Sequence, residues 1–505
     1  MRVVMLSPEV YPYAKTGGLA DVLAALPRAL AAAGVEVTVC MPGYRPALRA
    51  AGALAPGTRL HAPIGSRMEP AEMVCAPGAS VPTVLVRADQ YFDRDGLYGE
   101  GGREWPDNDE RFAFFCRGAL EWLRAEGEPP DVLHVHEWQA ALAPAFLRGT
   151  AELYPELARV RTVLTLHNLA YQGRFPAARW HLLNLDARYF VPEFLEFHAE
   201  INFLKAGLVF ADALTTVSPR YAGEIQTPAF GEGLDGVLRA RHAALRGILN
   251  GIDDAVWNPA TDPHLPAQYS AEDLSGKKAC KQALQREMKL PPRDVPLIGL
   301  ISRLALQKGI DLIVDILPKL LELDVQMVVL GSGDPQYHAD LTGLRVRYPD
   351  KLAVQLGFHD PLAHRIEAGA DLMLMPSRYE PCGLTQLYSL RYGTVPVVRR
   401  TGGLADTVVP YLPASSSQET ATGFAFSLPG PEVLLSTVLL ALQVYRDKEE
   451  WLRLVRRGMQ QDFSWQRSAK QYVELYQRAL AVETEPPHHS PYSFQRPWFG
   501  SRWTG

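Results

Sequence analysis

Lys15-Thr16-Gly17-Gly18-Leu19-Ala20-Asp21-Val22 joins two kinds of sequence, and that junction decides the fold. Before it, residues 2–9 are apolar and β-branched enough for a buried strand; after it, Leu19, Leu23, Leu26 and Leu30 recur at helical spacing. Residues 35–41 read as strand again, so strand, glycine loop, helix and strand fit one βαβ unit and call for a parallel sheet. Gly17 and Gly18 let the backbone approach a ligand closely. The first N–H groups of the helix have no internal partner, which makes an anion a natural occupant, and Lys15 adds a mobile positive charge. A tight turn, with Asp21 favouring the positive helix end, accounts for the same residues without any ligand. Pro27 falls inside the helical pattern, where it costs roughly 3 kcal/mol and favours a kink.

A chain of 505 residues exceeds one ordinary core, so two or more domains are expected. With 51 basic against 56 acidic residues the formal charge is -5, which supplies no basic field for nucleic acid. Cys40, Cys75, Cys116, Cys280 and Cys382 are odd in number, far apart and without a C-x-x-C pair, which disfavours a disulfide framework or zinc knuckle and fits a reducing compartment. Residues 1–9 lack the pattern of a signal peptide, and no apolar run approaches the length that spans a bilayer. The expectation is a cytoplasmic protein with neither nucleic-acid nor membrane partner.

Further along, residues 51–127 are irregular, with a glycine- and acid-rich stretch at 91–109 that reads as a long surface loop. Strands at 131–136 and 162–166 end in Glu137-Trp138 and His167-Asn168, and two more, at 213–217 and 247–249, end in Ser218-Pro219 and Asn250-Gly251. Polar groups thus recur at carboxyl ends of strands, the crevice side of a parallel sheet. His134, His136 and His167 lack carboxylate or cysteine companions at ligand spacing, so hydrogen bonding or packing is expected of them rather than metal binding. Residues 258–266, with three prolines, read as a linker. After it, strands at 295–301, 325–330, 352–356, 371–375 and 395–398 alternate with helices at 310–323, 362–368 and 383–391, and helical stretches at 431–445, 449–459 and 466–482 follow. The organisation expected is an amino-terminal α/β domain over 1–260, a carboxyl-terminal one over 261–482, and a tail, 483–505, without periodicity.

The second half repeats the opening motif: Thr401 to Asp406 carries the same Thr-Gly-Gly-Leu-Ala-Asp as Thr16 to Asp21, again between strand and helix. Two similar domains facing each other, with a site in the cleft, are the expectation. Arg303 and Lys308 share one strand-to-helix loop, where a paired Arg and Lys suits a diphosphate leaving group whose charge grows as its bond breaks. Surface salt bridges are the alternative reading. Glu380 precedes Cys382-Gly383-Leu384-Thr385, a helix start whose free N–H groups suit a sugar hydroxyl or phosphate; capping is the plainer role of such a glutamate. For Cys382, packing is expected over nucleophilic chemistry, since no histidine base is paired with it.

With these motifs, and with His167-Asn168-Leu169-Ala170-Tyr171-Gln172-Gly173, Phe203-Leu204-Lys205-Ala206-Gly207, Asn250-Gly251, Ser302-Arg303, Gln307-Lys308-Gly309 and Glu380 to Gln386, residues 1–480 resemble the bacterial glycogen synthases, the family that includes plant starch synthases. The resemblance implies two Rossmann-like domains facing across a cleft (the GT-B fold), with the last helix crossing back to the first domain. It implies no metal or other cofactor, the nucleotide sugar being a substrate. It implies retaining transfer of glucose from ADP-glucose, with UDP-glucose as the alternative donor, to the non-reducing 4-hydroxyl of an α-1,4-glucan such as glycogen. Arg303 and Lys308 would hold the departing diphosphate. Lys15, Gly17, Gly18 and Asp21 would line the phosphate and glucose end, and Glu380 with the backbone of Cys382, Gly383, Leu384 and Thr385 would fix glucose hydroxyls. His167, Asn168 and Asn250 match positions near the transferred sugar, Tyr98 one near the nucleotide sugar, and Glu137 one where many relatives carry aspartate. Tyr388 stands where many other retaining transferases of this fold place a second glutamate, as it does in glycogen synthases.

Three rivals remain in view: a transferase of the same fold using another acceptor, a non-catalytic glucan-binding scaffold, and a dinucleotide-dependent oxidoreductase. The sequence opposes the last, since Leu330-Gly331-Ser332-Gly333 is followed by Gln336 where a third glycine belongs.

Overall fold

A computed structural model of the chain describes residues 1–413 and 419–481; the tail singled out above lies outside them. The chain forms two compact units, one of residues 1–215, 231–245 and 470 onward, the other of residues 216–230 and 246–469. The break expected at residue 260 therefore falls inside the second unit.

In the first unit the run of apolar residues at the amino terminus becomes β1 (Arg2–Leu6), whose Val3, Val4, Met5 and Leu6 are wholly buried. It is flanked by β2 (Glu36–Pro42), β3 (Thr58–Ile64), β4 (Arg67–Cys75), β5 (Thr83–Arg87), β6 (Val132–His136), β7 (Arg161–Leu166), β8 (Ala213–Thr216) and β9 (Leu245–Gly247) in the order β9-β8-β7-β6-β1-β2-β5-β4-β3. β1 pairs in parallel with β2 and β6, β6 with β7, and β2 with β5. The junction quoted at the outset opens α1 (Gly18–Ala32), which runs through the buried Pro27 as one helix.

Residues 51–127 depart from the irregular reading. β4 is antiparallel to both β3 and β5 and extends the sheet by a hairpin. The stretch 91–109 is no bare loop: it starts on a short helix, Asp89–Phe92, forms a small hairpin, Gly99–Glu100 with Arg103–Glu104, then passes into α2 (Asn108–Glu126). Its anchor is Arg111 of α2, fully buried, which donates to the carbonyls of Tyr91 at 2.7 Å and Leu97 at 3.0 Å and to Asn108 Oδ1 at 2.7 Å. A buried guanidinium is costly unless its donors are used; here Nε and Nη1 fasten the strip that carries Tyr98.

The second unit is built on β10 (Leu297–Leu304), β11 (Gln326–Gly333), β12 (Leu352–Leu356), β13 (Leu372–Met375), β14 (Val395–Arg399) and β15 (Phe424–Phe426), in the order β12-β11-β10-β13-β14-β15 with every neighbour parallel. That is the doubly wound order, and the chain reverses its direction of winding between β10 and β13. The first unit's parallel strands do the same between β1 and β6. Helices α3 (Ile310–Glu322), α4 (Asp360–Gly369), α5 (Thr385–Arg391) and α6 (Gly402–Thr407) follow β10, β12, β13 and β14. α3 buries Ile313, Ile316, Leu317 and Leu320, one apolar stripe. The last described helix, α7 (Trp465–Ala481), begins in the second unit and from Lys470 belongs to the first, where the hydroxyl of buried Tyr476 lies 2.7 Å from His134 Nδ1.

Candidate active site

Ligands of doubly wound sheets bind beyond the carboxyl ends of strands where the winding reverses. The predicted residues gather at that point in each unit.

In the first unit the chain leaves β1 and reaches Glu9, a carboxylate only 4% exposed that the sequence reading passed over. Its Oε2 accepts the amide of Thr16 at 2.6 Å and that of Gly17 at 3.3 Å, and its Oε1 accepts the hydroxyl of Tyr98 at 2.8 Å. Glu9 thus pins the glycine loop and the Tyr98 strip together, and the two loop amides it occupies are not offered to an anion. Lys15 Nζ pairs with Asp21 Oδ1 at 2.7 Å across the mouth of the loop, both side chains about one-third exposed at 34% and 35%. A Cβ built on Gly17 meets nothing within 4 Å, so the space beside the loop is open.

After β6 the chain turns sharply: Glu137 has φ 64°, a left-handed conformation that costs a non-glycine residue about 1 kcal/mol or more. The turn sends its side chain to the end of β7, where Oε1 accepts the amides of His167 and, at 3.0 Å, Asn168. Burial pushes the Glu137 carboxyl up to about 8, against the pull of those two amides. Burial also lowers His167 to about 3 and His136 well below the usual histidine range, so both rings are neutral at physiological pH. His136 Nδ1 and His167 Nε2 lie 3.0 Å apart. His134 uses both ring nitrogens, at 2.7 Å from the Tyr476 hydroxyl and 2.6 Å from Thr165 Oγ1, and so is a packing histidine.

In the second unit, Arg303 ends β10 exposed, its Nη2 donating to Gln307 Oε1 at 2.7 Å. Lys308 follows on a single turn of 3-10 helix, and Gly309 then takes φ 69°; a Cβ there would stand 2.3 Å from the Pro376 carbonyl, so the position requires glycine. This close approach of the loops after β10 and β13 sets Lys308 Nζ 2.5 Å from Glu380 Oε2, which also accepts Ser377 Oγ at 3.0 Å. Lys308 and Glu380 are thus partners, while Arg303 keeps its charge toward solvent.

The second Thr-Gly-Gly-Leu-Ala-Asp run is engaged differently from the first. Glu224, also unanticipated, is 7% exposed and accepts Thr401 Oγ1 at 3.1 Å and the Gly402 amide at 3.0 Å through Oε2. Cβ atoms on Gly402 and Gly403 would stand 1.9 Å from the Glu380 carbonyl and 2.1 Å from that of Cys382. These glycines let α6 pack against the 380–382 backbone. Cys382 is a buried thiol pushed up to about 12 by burial, and its sulfur accepts the backbone N–H of Asn250. Gly383 has φ 73°, and Leu384 caps α5, which starts at Thr385. The side-chain Oδ1 of Asn250 is buried and has no hydrogen-bond partner among the described residues, which leaves an acceptor for a ligand's donor. Tyr388 stacks at 3.8 Å on Trp257.

A family model described as the starch synthase catalytic domain matches residues 2–240, and one described as glycosyl transferases group 1 matches residues 281–441. Fold and motifs together define a glycosyltransferase of the GT-B fold class. Glycogen synthase of Anaeromyxobacter dehalogenans strain 2CP-C is 52% identical over 484 residues, covering 95% of this chain and 100% of the relative. That of Syntrophotalea carbinolica is 47% identical over 492 residues, covering 97% and 100%. This chain belongs to the glycogen synthase family. Among solved structures, the catalytic domain of starch synthase IV from Arabidopsis thaliana bound to ADP and acarbose is similar at TM-score 0.86 and 34% identity, over 95% of this chain and 99% of that one. Sucrose-phosphate synthase from Thermosynechococcus elongatus, at TM-score 0.56 and 16% identity over 95% and 99%, shares the fold.

Proposed function

We propose that the chain lengthens an α-1,4-glucan, transferring glucose from ADP-glucose to the non-reducing 4-hydroxyl with retention at the anomeric carbon. The observation that carries the reading is the Lys308–Glu380 pair beside exposed Arg303, at the reversal of winding between β10 and β13. The likeness to a starch synthase bound to ADP and acarbose supports a nucleotide-sugar donor and a glucan acceptor.

In this reading Arg303 and Lys308 take up the negative charge that grows on the departing diphosphate, as fixed cations do without reorganising. Lys308 exchanges part of its contact with Glu380 for phosphate, and the carboxylate so released accepts glucose hydroxyls. The backbone of Cys382, Gly383, Leu384 and Thr385 adds donors at the start of α5, and Asn250 Oδ1 accepts from the sugar. Lys15, Gly17, Gly18 and Asp21 line the donor's phosphate and glucose end, with Tyr98 near the nucleotide sugar. Glu137 orients the main chain of His167 and Asn168 toward the transferred sugar. The leaving phosphate itself takes the acceptor proton, so positioning counts for more than a side-chain base, and neither metal nor other cofactor is needed. A cytoplasmic site of action is part of the proposal, supported by five free cysteines. Among the described residues, no helix is long and apolar enough to cross a membrane.

The test is glucose incorporation into glycogen by wild type and Lys308→Ala. Turnover lower by about 10²–10³ in the variant is expected for one lost charge-stabilising contact. Unchanged turnover would remove Lys308 from the site.

A further inference from the structure

Away from these residues, three metal-ligating side chains of the second unit converge. Asp360 and His364 lie four positions apart on α4, hence on one face, and His264 comes from the segment that follows Trp257. One ligand atom from each lies within 4.8 Å of the other two. The His364 ring is 1% exposed and stacks at 3.8 Å on Trp257. Its Nδ1 stands 2.7 Å from Oδ2 of Asp262, a buried carboxylate that also accepts the Tyr392 hydroxyl at 2.6 Å. A carboxylate so placed accepts a hydrogen bond from Nδ1–H and leaves the lone pair on Nε2. That Nε2 is buried, has no hydrogen-bond partner among the described residues, and stands 3.9 Å from Asp360 Oδ2. The other oxygen of Asp262 accepts the backbone N–H of His264 at 2.8 Å, so one carboxylate holds the His364 ring and the main chain of His264.

We propose that His264, Asp360 and His364 bind a divalent transition-metal ion of the Zn²⁺ class, with water completing the coordination. Two imidazoles and one carboxylate are a zinc donor set, and a carboxylate holding the far nitrogen of a ligating histidine is its usual support. Zinc bond lengths of about 2.0–2.2 Å require the donors to draw together. Asp360, with 52% of its side chain exposed, is free to turn inward, whereas His364 is held by Asp262 and Trp257. The ion fastens residues 258–265 to α4. It takes no part in glycosyl transfer, and the inference is independent of the function proposed above.

The full-length chain, stripped with chelator, is titrated with Co²⁺ and with Zn²⁺. One ion per chain is expected, with visible Co²⁺ absorption of a low-coordinate site that Zn²⁺ abolishes. Affinity falls at least about tenfold in His264→Ala and in Asp360→Asn, variants that leave the buried His364–Asp262 pair intact. Zn²⁺ raises the thermal midpoint of the wild type only. No bound ion, or equal affinity in wild type and both variants, would overturn the proposal.

Discussion

At the scale of residues, a few charged groups take their state from their surroundings. Lys308 offsets the buried charge of Glu380, so Lys308→Ala costs stability as well as turnover, and Lys308→Arg separates the two by keeping the charge. Partial recovery of stability with turnover still depressed is expected, because a planar guanidinium does not replace a point charge in the same space; denaturant midpoints alongside kcat check it. Glu137 gives a pH signature. Its folded pKa of about 8 lies above the ordinary 4.5, so the folded chain holds a proton that the unfolded chain releases between those values. The stabilisation from this group is present below pH 4.5 and is lost as pH rises to about 8, by at most about 1.4 kcal/mol per pH unit. His134 and His167 act in the opposite sense: each stays neutral in the folded state to about pH 3, so its contribution is present above 6.5 and fades on acidification. Glu137→Gln is therefore expected to remove the alkaline loss and keep the acid one. Unfolding free energies measured across that range in wild type and variant decide it; parallel pH curves would contradict the assignment.

At the scale of elements, the candidate site residues sit on strand-end loops, and close approach fixes Gly309, Gly402 and Gly403 but not Gly17. Gly309→Ala puts a Cβ against the Pro376 carbonyl in a left-handed conformation, and a loss of about 1–3 kcal/mol is expected together with displacement of Lys308. Gly17→Ala, with open space around its Cβ, costs far less stability; equilibrium denaturation of the pair tests the contrast. Glu224→Ala strands the Thr401 hydroxyl and the Gly402 amide at a cost of about 1–3 kcal/mol, and Glu224→Gln keeps the acceptor and restores most of it. The parallel strands and their polar ends can be read from the sequence because apolar runs stop at recognisable loops. The β3–β5 extension cannot: Pro63 and Pro70 interrupt those strands, and only one face is covered, so the apolar run is broken. α2 is hidden for another reason. Arg111 and Arg117 look like solvent-facing residues in a list of letters, yet both are fully buried, and two of the three guanidinium nitrogens of each donate to carbonyls or side-chain oxygens. Glu9 and Glu224 escape notice likewise, since a lone glutamate after a strand or in a helix reveals nothing of the amides it will meet.

At the scale of the whole molecule, each unit repeats one arrangement, a sheet that reverses its winding beside its first strand, with polar residues gathered at the reversal. The duplicated Thr-Gly-Gly-Leu-Ala-Asp run suggests two equivalent loops from the sequence, but the structure gives them different tasks. The first is tied by Glu9 and keeps open space beside Gly17; the second is packed shut by Glu224 and the 380–382 backbone. The function proposed above accordingly gives the donor's phosphates chiefly to Arg303 and Lys308. The most direct test of the account is the rate of glucose incorporation into glycogen with ADP-glucose and with UDP-glucose, side by side, and with glucose 6-phosphate as a competing acceptor. Incorporation from ADP-glucose into glycogen, with UDP-glucose the poorer donor, is the expected result; turnover on glucose 6-phosphate with none on glycogen would contradict it.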